Sequence, residues 1–100
     1  MINGYVLSQE ADNDIEDIFE YGEHQFGTYQ AIEYLIGLND HFNAIANSPD
    51  IGKERKEIKN GLFSFPYISH IIFYRKMNGY VRIVRVLYGA RDLKKFLTES

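Results

Sequence analysis

Cysteine and tryptophan are absent from this 100-residue chain, and proline occurs only twice. Without cysteine there is no disulfide framework and no thiolate-ligated zinc or iron–sulfur site, and the chain suits a reducing compartment. No apolar run approaches the ~20 residues needed to cross a bilayer. The opening MINGYVLSQEADND has no basic segment leading into an apolar one, so no secretory signal is expected. P-loop, nucleophile-elbow, Gly-rich dinucleotide and HExxH patterns are all missing. His24, His41 and His70 lack metal-ligand spacing. The expectation is one cytoplasmic domain over 1–100, with no cofactor, no metal and no membrane contact.

The most unusual absence is of positive charge. Residues 1–52 contain ten Asp or Glu and no Lys or Arg, whereas residues 53–100 contain eleven Lys or Arg and four Asp or Glu. The sum is −3. Either the basic half meets an anionic partner, nucleic acid or acidic peptide, or the two halves neutralise each other inside one fold. The negative total argues against a protein that holds nucleic acid mainly by counterion release.

Among what is present, Gly61 to Asp92 dominates. Asn78-Gly79 separates two alternating runs, Ser69–Met77 and Tyr80–Tyr88, and Asn-Gly suits a two-residue turn with φ > 0 at both positions. Continuous pairing from that turn sets Arg75 against Arg82, Tyr74 against Ile83, Ile72 against Arg85 and His70 against Leu87. Alternation then gives two faces. Ile71, Phe73, Val84 and Val86 form a dry face suited to lie under helices. His70, Ile72, Tyr74, Ile83, Arg85 and Leu87 form an open face on which function is expected. A slip of one residue would exchange the two.

Upstream, Gly4–Leu7 reads as a short strand. Ser8 is a candidate N-cap, with Glu10, Asp12 and Asp14 where carboxylates favour the helix dipole. The spacing of Ala11, Ile15, Ile18, Phe19 and Gly22 predicts a helix over residues 9–25. Its outer carboxylates read as a solvated face. Phe26-Gly27-Thr28 marks a stop and restart. A second helix over 28–46 would bury Ile32, Leu35, Leu38, Phe42 and Ile45 and end at Asn47-Ser48-Pro49. The tight joint predicts an antiparallel helix pair. Asp50–Asn60 is a charged connector. Leu62–Phe65 reads as a strand that Pro66 confines to an edge or a bend, and Leu93–Leu97 as a short amphipathic tail. The class is α+β, in the order β-α-α-β-β-β, with a helical hairpin on one face of a small, mainly antiparallel sheet.

These pieces resemble the ParE-type toxins of the RelE/ParE superfamily, the toxin half of bacterial toxin–antitoxin modules. The resemblance is carried in order by Tyr5-Val-Leu-Ser8, Ile15–Tyr21, Phe26-Gly27 before Gln30-Ala31, Pro49-Asp-Ile-Gly52, Gly61–Pro66, His70–Arg75 and Val84–Asp92. It implies a ParD-like antitoxin of the ribbon-helix-helix type encoded beside the toxin and bound to it as a hetero-oligomer. It also implies DNA gyrase as the target, inhibited by binding rather than by chemistry, and DNA reached only through the antitoxin. The candidate binding residues are His70, Ile72, Tyr74, Ile83, Arg85, Leu87, Tyr88 and Arg91. Tyr88 stands where the family pattern usually has His. A phenol can replace that hydrogen bond but is not protonated near neutrality.

The related RelE branch cuts mRNA on the ribosome, which requires a base, a general acid and cations for the phosphorane. The residues available for that alternative are Arg85, His70, Tyr88 and Arg91. Against it stand an imidazole bonded to a nearby backbone carbonyl, an Arg85 paired with Asp92 or a carboxylate of the first helix, and a local Arg91–Asp92 ion pair.

Overall fold

A computed structural model describes residues 4–90 and 93–98. The chain runs β1 (Tyr5–Leu7), α1 (Gln9–Phe26), α2 (Thr28–Asn47), a 3-10 turn (Pro49–Ile51), β2 (Lys53–Glu54), β3 (Phe63–Tyr67), β4 (His70–Lys76), β5 (Val81–Tyr88) and α3 (Leu93–Thr98). The strands form one sheet ordered β1-β5-β4-β3-β2, parallel between β1 and β5 and antiparallel elsewhere. The α+β class and the helical hairpin are as expected. β2 is an addition: Lys53 and Glu54 inside the charged connector pair with Ser64 and Phe63. Since β2 reaches no further, Pro66 has a strand neighbour only on its β4 side. Its missing N–H costs no ladder bond there, and β3 continues through it.

Local chemistry explains the helix ends. The Ser8 hydroxyl accepts the Ala11 N–H at 3.0 Å, with Glu10 and Asp12 in the first turn. Gly27, at φ 89°, closes α1 and opens α2 by itself, a backbone position that a side chain would strain. Leu38, Phe42 and Ile45 of α2 and Ala11 of α1 pack on Ile72, Tyr74, Val81, Ile83 and Val86 of the sheet. Ile32 is a correction, since it is 45% exposed and lies outside this packed stripe.

The expected sorting of the hairpin faces is also overturned. The Asn78-Gly79 turn holds and Lys76–Val81, Arg75–Arg82 and Tyr74–Ile83 pair as expected, although only Gly79 takes positive φ (86°). Register then shifts by one: Phe73 faces Arg85, Ile72 faces Val86, Ile71 faces Leu87 and His70 faces Tyr88, leaving Val84 as the extra residue of a bulge. Ile72, Tyr74 and Ile83, expected on an open face, lie instead under the helices, each at 0% exposure, and the shift adds Val86 to them. Phe73 and Leu87 turn to the opposite side, into a second core with Leu62 and with Leu97 of α3.

Candidate functional site

The bulge is held by the start of α1. Ser8 Oγ, besides capping its helix, donates to the Val84 carbonyl at 2.7 Å. Asp14 accepts the Val86 N–H at 2.9 Å and a fork from Arg85, Nε at 2.9 Å and Nη2 at 2.9 Å. Glu10 stands 3.6 Å from the same guanidinium. Backbone groups taken out of the ladder thus find partners more than 70 residues away. The Arg85 and Asp14 side chains are only 14% and 12% exposed. The hydrogen bonds that Arg85 donates to Asp14 raise its pKa above an already high ordinary value. Of the partners weighed for this arginine, the first-helix carboxylate is the one found. Asp92 and Arg91 lie outside the described residues.

His70 opens β4, and its Nδ1 lies 2.6 Å from the hydroxyl of Tyr34 on α2. A phenol is thus a partner of this imidazole. Burial raises the Tyr34 pKa, so this phenol is protonated at neutral pH. Its other oxygen neighbour, the Tyr67 carbonyl, is 3.5 Å away, at the limit of a hydrogen bond, so the contact with Nδ1 is the stronger of the two. Tyr67 returns a bond from its hydroxyl to the Tyr34 carbonyl at 2.8 Å. The Tyr88 ring lies 6.0 Å from the imidazole and is half exposed. His41, expected at the surface, is half-buried against Tyr67 with Nδ1 2.9 Å from the Gly37 carbonyl.

Of the candidate binding residues, the structure brings His70 and Tyr88 together and leaves both reachable. Arg85 is reached only past its carboxylates. Tyr74 is structural: its hydroxyl donates to the Pro49 carbonyl at 2.7 Å and accepts the Gly52 N–H at 3.0 Å. Ile72, Ile83 and Leu87 are core residues. Tyr34 was not singled out, and Asp14 was named only for the helix dipole, although helical spacing could have placed it, three residues after Ala11, beside the packed stripe.

The pattern of the family model for the ParE toxin of type II toxin–antitoxin systems matches residues 5–93. The chain belongs to the ParE toxin family. Toxin ParE1 of Caulobacter vibrioides is 32% identical over 93 residues, covering 93% of this chain and 96% of that one. Toxin ParE1 of Mycobacterium tuberculosis is 33% identical over 98 residues, covering 97% of this chain and 100% of its own. A solved structure described as a chromosomal ParDE system from P. aeruginosa superposes with a TM-score of 0.74 over 85% of this chain and 94% of that one. At 13% identity, that likeness bears on the fold alone. As a ParE-family toxin of a type II system, the chain has an antitoxin as its partner.

Proposed function

We propose that this ParE-family toxin arrests growth by binding DNA gyrase in the cytoplasm and is neutralised by a ParD-like antitoxin of the ribbon-helix-helix type. The observation that carries the reading is the state of Arg85. The strand arginine that RNA cleavage would use to neutralise a phosphorane is already forked onto Asp14, with Glu10 behind it. A cation so neutralised offers little to a second phosphate. Binding needs no free catalytic cation, and the exposed Tyr88 beside His70 offers the amphipathic aromatic contact common at protein interfaces. No helix among the described residues is long and apolar enough to cross a membrane.

Purified toxin added to gyrase is expected to stop supercoiling and to accumulate cleaved DNA, with relief on adding the antitoxin encoded beside it. Undisturbed supercoiling at stoichiometric excess, together with cut mRNA in translating ribosomes, would transfer the assignment to RelE-type endonuclease chemistry.

A further inference from the structure

The turn between β3 and β4 consists of Ile68 and Ser69, closed by the Tyr67–His70 pair. Positive φ falls on Ile68 (49°) and not on Ser69, a pattern in which glycine is the usual first residue of a two-residue turn. A β-branched side chain is among the least suited to that position, and this one is 79% exposed. Inside the fold it gains little to offset the strain. Strain of this kind clusters where a bound state makes use of it. The surroundings are also short of charge. Asn60 to Tyr74 and Val86 to Ala90 contain no Asp, Glu, Lys or Arg, in a chain where these make up 25% of the residues. The two stretches meet at this end of the sheet: His70 pairs with Tyr88, and the Gly89 N–H donates to the Ser69 carbonyl at 2.9 Å. Ile68, Ser69, Tyr88, Gly89 and Ala90 are all exposed there.

We propose that Ile68 is the anchor by which the toxin holds its target, its side chain entering an apolar, uncharged socket on the target protein next to the contact made by Tyr88. The anchor chemistry follows from the strained, exposed side chain and its uncharged setting; that the target is gyrase rests on the function proposed above. The occupant follows from continuity. Ile68 and Tyr88 flank the hydrogen bond between Ser69 and Gly89, so a protein seated on the phenol and on His70 also reaches the turn. The centres of protein interfaces are depleted of charge, and a few large side chains carry most of the binding. An aliphatic tip among uncharged neighbours offers nothing to a phosphate backbone, which is held by cations.

The test compares the full chain with Ile68→Asn, which tolerates the turn conformation but removes the apolar tip, and with Ile68→Val, which keeps most of it. Inhibition of gyrase supercoiling, affinity for the antitoxin encoded beside the toxin and melting temperature are measured for each. Ile68→Asn is expected to melt higher and to bind antitoxin as the parent does. Its inhibition of gyrase should weaken on the order of tenfold or more, the contribution of one buried aliphatic side chain. Ile68→Val, one methylene shorter, should stay within about fivefold of the parent. Higher stability together with weaker inhibition is a combination that a purely structural role does not produce. Inhibition by Ile68→Asn equal to that of the parent overturns the anchor and leaves the gyrase reading standing. A parent toxin that leaves supercoiling intact overturns both. Weaker inhibition in step with a lower melting temperature makes Ile68 a structural residue and also overturns the proposal. So does an equal loss of antitoxin affinity, which assigns the turn to the antitoxin. Self-association of the parent that is abolished in Ile68→Asn overturns it too, by assigning the turn to a second copy.

Discussion

Asp14 is the residue on which most of the long-range geometry converges. Its carboxylate accepts three hydrogen bonds at 2.9 Å, two from Arg85 and one from the Val86 amide, and so ties α1 to the bulged part of β5. Removing it would leave a largely buried guanidinium without its fork and a backbone N–H without a partner. Loss of one member of a buried pair costs about 3–5 kcal/mol, and the residual exposure here places Asp14→Ala near the bottom of that range, about 3 kcal/mol. Asp14→Asn keeps an acceptor for Val86 and should lose about half as much. The raised pKa of Arg85 contributes stability that is complete below the ordinary arginine value and lost only as pH climbs past it. On the arginine side the lock is therefore constant across the neutral range. Urea unfolding of both variants checks this; an Asp14→Ala midpoint equal to that of the parent would mean the fork carries no weight.

At the level of elements, the β3–β4 turn is the strained one. Ile68 sits at φ 49°, the only non-glycine at positive φ among the described residues, and its side chain is 79% exposed. A β-branched residue is ill-suited to that region, at about 1–2 kcal/mol, and packing recovers little from a side chain in solvent. Ile68→Asn, which tolerates the conformation, is expected to raise stability by about 1 kcal/mol and the melting temperature by several degrees. A lower melting temperature would show that the Ile68 side chain makes contacts worth more than the strain. The helices, by contrast, were legible nearly to the residue, because Ser8, Gly27 and Pro49 punctuate them chemically. The hairpin turn was legible for the same reason. The bulge was not, since no Gly or Pro marks Val84 and its causes, Ser8 and Asp14, lie in another element. That one unread residue grouped Val86 with Ile72 and Leu87 with Phe73, so the apolar face that the helices cover is Ile72, Tyr74, Ile83 and Val86, with Arg75 and Arg82 on the other side.

Across the whole molecule, the two layers are stitched by phenols. Tyr5 of β1 bonds Asn39 of α2, Tyr34 of α2 bonds His70 of β4, and Tyr67 of β3 donates to the Tyr34 carbonyl. Tyr74 of β4 donates to Pro49 beyond the end of α2. The charge asymmetry of the sequence announced two unlike halves, but a stitching of this kind cannot be read from tyrosine content, because it depends on which rings the register turns inward. Burial raises the pKa of all four phenols. A phenol with a raised folded pKa keeps its proton longer in the native state than in the unfolded chain, so the native state binds more protons once pH passes about 10. Stability is then fully present below that value and declines above it, by about 1.4 kcal/mol per pH unit for each proton by which the two states differ. Thermal unfolding followed by circular dichroism should therefore give a melting temperature that falls steeply beyond pH ~10. Tyr74→Phe should start from lower stability, by about 1–3 kcal/mol for two lost hydrogen bonds, yet decline less steeply, since one of the coupled protons is gone. An identical alkaline slope in parent and variant would mean that the Tyr74 phenol contributes nothing to the coupling and that the alkaline decline comes from the other three phenols.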